Sequence, residues 1–320
     1  MNPGSRLTVA VALLALAACN GGANGDTDRG EQVVAWLPAL EPGEVTVLGD
    51  FAGTIVPPIQ SVAVAPDGRV YVMLIDTDDV WEAVSPSDLD SCCGGEPDIY
   101  PGRIEATGDA IYRVHTDSED PVRGVGAYRG VERESVLTLP VERGQRPGDV
   151  AVSEHEDVYL SILAVEEGSV DGVQVLRGTG DGGFEVVAGA GLGCSQEAVP
   201  ATEARFMSLA GVAVAADGAL YAADPRCGSV YAIADGQVRV ELGGEDRRPV
   251  DVAVVGDDVY VADAGTGEVV RLGDGEMVLS ADDVPEGFDP DELTGLDGTP
   301  DGDLLVAIGS RLIGVGLADG

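Results

Sequence analysis

The sequence contains no lysine: all 18 of its basic residues are arginines, set against 57 aspartates and glutamates. The resulting net charge of -39 argues against nucleic acid and anionic lipid surfaces as partners, because both are themselves negatively charged. So acidic a surface repels itself, and salt screens that repulsion. We therefore expect no nucleic-acid partner, and an unfolding free energy that rises with added KCl.

Asparagine and histidine are almost missing. The asparagines are Asn2, Asn20 and Asn24, all near the start, and the histidines are His115 and His155. This composition excludes a zinc site made of three histidines and any asparagine-dependent site beyond residue 24. His155 lies in a predicted hairpin turn and His115 at a predicted strand end, so solvated roles are expected for both.

Long hydrophobic runs are also scarce, and the one at the N-terminus has a specific form. Arg6 is followed by a run of ten residues, Leu7 to Leu16, that is apolar except for Thr8. The run is half as long as the roughly 20 residues needed to span a bilayer. The run ends in Leu-Ala-Ala-Cys19, which resembles the lipobox of bacterial lipoproteins. The resemblance implies a signal peptide over 1–18, removed before Cys19, and a lipid attached to that cysteine.

Residues 19–31 are small and polar and predict a flexible tether, followed by a single domain over 32–320. We expect export and lipid anchoring to the cell membrane or outer membrane, with the domain outside the cytoplasm and no other membrane contact. Asn20 after the lipid-bearing cysteine favours the outer membrane in a cell that has two.

A strand-turn-strand phrase repeats through the domain. Its first copy is Ser61-Val-Ala-Val-Ala-Pro-Asp-Gly-Arg-Val-Tyr-Val, and five of the eight tyrosines fall in the register of Tyr71. The first apolar residues of the copies recur every 40 to 62 positions, at Val62, Ile104, Val150, Val212, Val252 and Leu296. Short strands and Asp-Gly turns at such periods are typical of propellers. The sequence predicts an all-β, six-bladed β-propeller.

The ends of the chain predict how the ring closes. Arg311–Leu317 is the third strand of the last blade, and Glu44–Leu48 is a strand without inner strands before it. We expect the N-terminal strand to complete the last blade and remove the open edge. Ile104-Glu-Ala-Thr is a poor inner strand, and if it forms no blade, the alternative is five blades with an inserted loop.

One stretch resembles a blade of the NHL-repeat family. It combines Ala188-Gly-Ala-Gly with Pro200-Ala-Thr-Glu-Ala and Gly211-Val-Ala-Val, and ends in an Asp-Gly turn and Tyr221-Ala-Ala-Asp. Val259-Tyr-Val-Ala-Asp matches the last part again. The resemblance covers residues 44 to 320 and implies a six-bladed ring of the gluconolactonase and NHL-like architecture. Aspartates that end second strands are expected to form turns, namely Asp76, Asp224 and Asp263.

Enzymes of this architecture use sites that this chain lacks. The gluconolactonase and paraoxonase type binds calcium through Glu and Asn at the channel mouth, the amidating lyase uses three histidines, and the virginiamycin lyase type uses a histidine base. Asp149 and Asp251 precede inner strands and are expected at the channel mouth. They are candidate Ca²⁺ ligands, and capping of their own loops is the alternative. No other cofactor is predicted.

Four cysteines remain after Cys19, and an even number in an exported chain predicts disulfides. Cys194 and Cys227 lie in connections that emerge on the same face of a propeller, so a bridge between them is expected. Cys92 and Cys93 would then pair with each other, and crossed pairing between the two sets is the alternative.

These features favour a non-catalytic binding or scaffold module at the cell envelope. Its partner would be an envelope protein, a glycan or a small ligand. The alternative is a metal-dependent lactonase or lyase-like enzyme with carboxylates at the channel mouth. A structural part of a surface complex is a third reading.

Overall fold

The structure, a computed structural model, describes residues 37–52, 58–74, 80–85, 88–93, 103–108, 110–116, 123–129, 132–139, 146–166, 169–179 and 183–318. The predicted signal peptide (1–18), Cys19, the tether (19–31) and Asp76 lie outside these residues. Within them, helical structure is limited to three single turns of 3-10 helix, and no helix could cross a membrane. These turns are η1 (Ala201–Glu203), η2 (Ala281–Asp283) and η3 (Pro290–Glu292).

Six antiparallel sheets form the blades, each built around four strands numbered here from the channel outward. Blade 1 contains β2 (Ile59–Val64), β3 (Val70–Leu74), β4 (Val80–Ser85) and β5 (Asp88–Cys93). Blade 2 contains β6 (Ile104–Thr107), β7 (Ala110–Thr116), β8 (Arg123–Arg129) and β9 (Glu132–Leu139). Blade 3 contains β10 (Arg146–Val152), β11 (Val158–Glu166), β12 (Ser169–Gly178) and β13 (Phe184–Leu192).

The remaining blades repeat this order. Blade 4 contains β16 (Gly211–Val214), β17 (Leu220–Asp224), β18 (Ser229–Ala234) and β19 (Gln237–Gly243). Blade 5 contains β20 (Pro249–Val255), β21 (Asp258–Asp263), β22 (Glu268–Arg271) and β23 (Met277–Ser280). Blade 6 contains β24 (Leu293–Gly298), β25 (Leu304–Ile308), β26 (Arg311–Val315) and, outermost, β1 (Val45–Asp50).

The ring closes through the N-terminal strand, as the sequence predicts. β1 pairs antiparallel with β26, with Val45 opposite Val315. The Asp303 carboxylate fastens both ends, since it accepts the backbone N–H of Leu40 at 3.0 Å and that of Leu317 at 3.2 Å. Each inner strand contacts the inner strands of both neighbouring blades, from blade 1 round to blade 6 and back. The six-bladed propeller is confirmed.

Burial explains the repeated phrase. The inner strands are apolar on both faces because a neighbouring blade covers each face, and Val62, Ala63 and Val64 are all buried. The Asp-Gly turn then reverses the chain: Gly68 has a φ of +83°, and the Asp67 side chain accepts the N–H of Arg69. Blade 2 forms in the same way despite its weak inner strand, so the five-bladed alternative is wrong.

The connection between blades 3 and 4 adds two short strands that the sequence did not predict. β14 (Val199–Pro200) pairs with outer strand β19 of blade 4, and β15 (Arg205–Phe206) pairs with outer strand β13 of blade 3. This connection therefore covers the outer edges of two adjacent blades, which protects strands that would otherwise present unpaired backbone groups. Phe206 anchors it, fully buried against Tyr231 with the ring centroids 5.1 Å apart.

Candidate functional site at the channel mouth

Two positions of each inner strand lie on the same face of that strand, because alternate residues of a strand share a face. The first of the two immediately precedes the leading apolar residue of the inner strand, and we call these the mouth positions: Ser61, Arg103, Asp149, Gly211, Asp251 and Gly295. The second lies two residues further on, and we call these the middle positions: Ala63, Glu105, Ala151, Ala213, Ala253 and Asp297. The polar members of both sets line a cavity of about 80 Å³. That volume holds a handful of water molecules.

The aspartates of these positions tie neighbouring blades together. Asp149 of blade 3 accepts the N–H of Val212 in blade 4 at 2.6 Å. Asp251 of blade 5 accepts the N–H of Leu296 in blade 6 at 3.0 Å. Asp297 of blade 6 does the same for an inner-strand N–H of blade 1, at 2.7 Å. Each carboxylate therefore accepts a backbone N–H of the neighbouring blade that the strand pairing within that blade leaves without an acceptor.

Two mouth positions are glycine because Asp251 needs the space. A Cβ on Gly211 would lie 2.5 Å from Asp251 Oδ1 and 2.7 Å from its Cα, closer than real contacts allow. A Cβ on Gly295 would lie 3.3 Å from Asp251 Oδ2. The glycines of blades 4 and 6 thus admit the carboxylate of blade 5 between them.

Arg103 crosses the channel. It belongs to blade 2, yet its Nη1 lies 2.5 Å from Asp251 Oδ2 in blade 5, on the opposite side of the ring. Its Nη2 donates to the carbonyl of Val250 in blade 5 at 2.8 Å and to that of Thr294 in blade 6 at 3.0 Å. The Arg103 side chain is only 13% exposed and that of Asp251 8%. One guanidinium therefore closes this mouth and joins three blades.

Burial is the main cause that raises the pKa values of the channel acids. Burial raises the pKa of Asp149 to about 8, opposed by the positive charge of Arg103 and aided by the negative charge of Asp251. Burial likewise raises the pKa of Asp297 to about 7, opposed by the N–H groups of Val64 and Gly298.

The other two channel carboxyls shift in the same direction. Burial raises the pKa of Asp251 in spite of Arg103. Burial, together with the charges of Asp297, Asp149 and Asp251, raises the pKa of Glu105 well above its usual range. The buried Asp149 and the half-buried Asp297 therefore have pKa values of about 8 and about 7, close to neutral pH.

The predicted Ca²⁺ ligands, Asp149 and Asp251, are already engaged in other bonds. The oxygens of Asp251 already serve Arg103 and two backbone N–H groups, those of Val252 and Leu296. Over the described ranges, no group of three or more His, Cys, Asp or Glu side chains could hold a metal ion. Ca²⁺ binding by Asp149 and Asp251 alone stays a prediction.

The structure places the two predicted Ca²⁺ ligands at the mouth, each bonded across to the next blade. Capping of their own loops was the alternative interpretation, and it accounts for only part of their bonding. Sequence reasoning did not find the roles of Arg103, Glu105 and Asp297. Arg103 and Glu105 carried a signal, since they interrupt the apolar phrase of blade 2. Asp297 interrupts the same phrase in blade 6.

The inter-blade loops emerge on the mouth side of the ring, and a disulfide fixes the longest described one. Cys194 and Cys227 are bonded with an S–S distance of 2.00 Å, which confirms the predicted bridge. Cys92 and Cys93 lie in β5, but their side chains fall outside the described part of the structure, so their pairing stays a prediction. His155 is exposed in the turn after β10, as expected, and the side chain of His115 is not described.

Hydrogen bonds to Asp224 hold the same loop in place. Its buried carboxylate accepts the backbone N–H groups of Met207, Ser208, Arg226 and Cys227 at 2.7 to 3.1 Å. Asp263 of blade 5 repeats the arrangement with the N–H groups of Arg248 and Gly265 and the guanidinium of Arg247. The predicted turn-forming role of these two aspartates is confirmed.

Two exposed arginines flank this disulfide-bonded loop. Arg226 precedes Cys227, and the Arg205 side chain packs beside Gly193, whose carbonyl contacts Cys227 Sγ at 3.6 Å. Neither arginine has an acidic partner among the residues that the structure describes. In a chain with three times more acids than bases, two unpaired arginines at one loop stand out as available for a negatively charged group.

No protein-family model and no curated protein matches this chain. Solved propellers do. A gluconolactonase from Xanthomonas campestris superposes with a TM-score of 0.58 at 14% identity, over 86% of this chain and 89% of that one. A PQQ-bound aldose sugar dehydrogenase from Streptomyces coelicolor gives 0.56 at 15%, over 85% and 97%.

A third match is a virginiamycin B lyase from Staphylococcus aureus in complex with quinupristin. It superposes with a TM-score of 0.53 at 12% identity, over 85% of this chain and 98% of that one. At such identities the likeness establishes the fold and leaves the activity open. The chain is similar in architecture to a lactonase, a dehydrogenase and a lyase, three enzymes that have similar folds and different activities.

Proposed function

We propose that this protein is an exported, lipid-anchored propeller that acts as a non-catalytic binding module at the cell envelope. One observation carries the non-catalytic part: Arg103 crosses the channel mouth and engages Asp251 and two backbone carbonyls. The polar groups at the channel mouth are thereby used to hold the ring together. The cavity beneath, of about 80 Å³, is also far smaller than the roughly 300 Å³ of ordinary ligand sites.

The loop face supports the binding part. The loop over residues 193–210 is held by a disulfide, by Asp224 and by pairing with two blades, so it presents its surface with little entropy left to lose. Arg205 and Arg226 lie on that surface without acidic partners among the described residues. They suit a carboxylate or phosphate group, which an envelope glycan or protein could carry.

The anchor part is tested at Cys19. Detergent phase partitioning and intact-mass analysis of the protein from its own cell should show a lipid adduct and cleavage before Cys19. A Cys19→Ser chain should lose both. A wild-type chain that partitions into the aqueous phase with an unmodified Cys19 would end the anchor proposal, whatever the propeller binds.

The binding part is tested by quantitative capture from the native envelope. Replacing Arg205 and Arg226 by alanine should weaken capture of the partner at least tenfold. Arg239→Ala is the matched control, because Arg239 is also exposed, pairs with Glu241 and lies on the outer strand of blade 4. Equal capture by all three proteins would remove this surface from the proposal.

An enzyme is the second candidate, favoured by one specific observation. Asp149 and Asp297 have pKa values of about 8 and 7, and a general acid or base works best with a pKa near the working pH. A lactonase or lyase-like reaction is the class expected. Hydrolysis of a panel of aldonolactones that disappears in Asp149→Asn or in Asp297→Asn would establish it, and an unchanged rate in both variants would exclude these two carboxyls as the catalytic groups.

A further inference from the structure

The channel mouth contains a set of oxygen atoms that can bind one positive charge, which we call the receptor, and a side chain of the same protein that occupies it. The receptor consists of Asp251 Oδ2 and the carbonyl oxygens of Val250 and Thr294, and the occupant is the Arg103 guanidinium. We propose that Arg103 is a resident cation of this propeller. It supplies, from the chain itself, a permanent positive charge to the carboxyl-lined channel, so that the native mouth needs no metal ion.

Electrostatics of the channel support this assignment. Four carboxyl groups line it, at Glu105, Asp149, Asp251 and Asp297, and Arg103 is the one cationic side chain among the lining residues that the structure describes. Buried charges are tolerated in proteins when they are paired or bound to a cation. Because guanidinium remains protonated at any ordinary pH, Arg103 provides that counter-charge permanently.

The residues around Arg103 also support its role as the bound cation. Asp251 reaches the centre of the mouth only because Gly211 and Gly295 leave space for it. Thr294, whose carbonyl receives Arg103, donates its hydroxyl to the carbonyl of Ile59 in blade 1 at 2.8 Å. Arg103 of blade 2 thus contacts blades 5 and 6 directly, and Thr294 connects it to blade 1. Removal of the guanidinium should leave an oxygen-lined vacancy with excess negative charge, which are the conditions that Ca²⁺ and small organic cations select.

Chemical rescue tests the receptor directly. Arg103→Ala should melt at a lower temperature than the wild type, and methylguanidinium at about 10 mM should restore part of the loss in a saturable way, since it binds the folded state. The double variant Arg103→Ala/Asp251→Asn should show no rescue. Arg69→Ala, which removes a partly exposed arginine paired with Asp67, is the control for nonspecific effects of the additive.

Calorimetry with Ca²⁺ tests the equivalence of the two cations. The wild type should give no binding heat and no melting shift with Ca²⁺ or with a chelator, whereas Arg103→Ala should gain both heat and a rise in melting temperature. Arg103→Lys should behave as the wild type does. Ca²⁺ binding by the wild type would overturn the inference in favour of a metal site at Asp149 and Asp251.

An Arg103→Ala variant that responds to neither cation would overturn the inference as well. If Arg103→Ala does not fold, the wild-type measurement and the response of Arg103→Lys still decide between a resident cation and a calcium site. None of these readouts depends on Cys19, on the loop arginines or on turnover. The inference therefore stands or falls separately from the proposed function.

Discussion

The loop ends and the channel of this propeller both contain buried or half-buried aspartates, and the two regions use them differently. At the loop ends, Asp224 and Asp263 are fully buried, and each gathers several donors from one blade and its incoming loop. In the channel, Asp149, Asp251 and Asp297 reach across to the next blade with one inter-blade N–H each.

The difference shows what a buried carboxylate needs. Each hydrogen-bond donor stabilises the carboxylate that accepts it, whereas burial away from water pushes a carboxyl group toward protonation. The loop-end aspartates have the larger number of donors. Burial raises the pKa of the channel aspartates, and the charge of Arg103 opposes that shift at Asp149 and Asp251. Loop-end aspartates should therefore dominate stability, and channel aspartates should dominate its dependence on pH.

The largest effect is expected at the loop end. Asp224→Ala leaves four backbone N–H groups in a half-buried loop without their acceptor and should lower the unfolding free energy by about 3–5 kcal/mol. Asp217→Ala is the control, because the exposed Asp217 accepts one N–H, from Ala219, and its loss should cost about 1 kcal/mol. Denaturant unfolding measures both, and equal losses would refute the ranking.

The second effect is a pH dependence that belongs to the channel. The folded-state pKa of Asp149, about 8, lies above its unfolded value near 4, so the folded protein binds the proton more tightly. The stabilisation from this proton is complete below about pH 4 and is lost as the pH rises through about 8. Between pH 5 and 9 we expect the unfolding free energy to fall by about 2–4 kcal/mol.

Asp149→Asn separates the channel from the rest of the protein in this measurement. The amide keeps an oxygen for the N–H of Val212 but has no proton to titrate. Its unfolding free energy should vary less between pH 5 and 9 than that of the wild type. A variant with the full wild-type slope would place the titration elsewhere among the 57 acids.

Features of the fold and the site that depend on neighbouring residues in the sequence could be predicted, and those that depend on contacts between blades could not. The blades, the closing strand, the Cys194–Cys227 bridge and the location of Asp149 and Asp251 follow from local pattern and from the regular order of a propeller. The partners of Asp149 and Asp251 do not. They depend on how far one inner strand lies from the next and on which neighbouring residue is small enough to admit a carboxylate.

Arg103 is the clearest case of this limit. It stands before a weak inner strand, and its pattern in the sequence indicates only a departure from the repeat. Its role arises because blade 2 lies opposite blade 5 in a ring of six blades, so that the side chains of residues 103 and 251 meet in the channel. Strands β14 and β15 escaped prediction for a similar reason. They are two-residue pairings made by a loop with strands of two different blades.

A third and smaller effect tests whether the channel is as tightly fitted as its glycines indicate. Gly211→Ala places a methyl group 2.5 Å from Asp251 Oδ1 and should cost about 1–3 kcal/mol through forced displacement of the carboxylate. Gly243→Ala, whose added Cβ would meet its nearest atoms at 3.3 and 3.5 Å, should change stability by less than about 1 kcal/mol. Thermal unfolding of the two variants side by side provides the measurement.

The smallest effect separates the surface acids from the channel acids. With a net charge of -39, added KCl should raise the unfolding free energy at neutral pH by about 1–2 kcal/mol, because it screens repulsion between exposed carboxylates. The channel carboxyls lie inside the ring, where mobile ions screen them much less. The fall in stability between pH 5 and 9 should therefore persist in 1 M KCl while the whole curve shifts upward. If salt instead removes the pH slope, the slope comes from the exposed acids, and the contrast between loop-end and channel aspartates loses its physical basis.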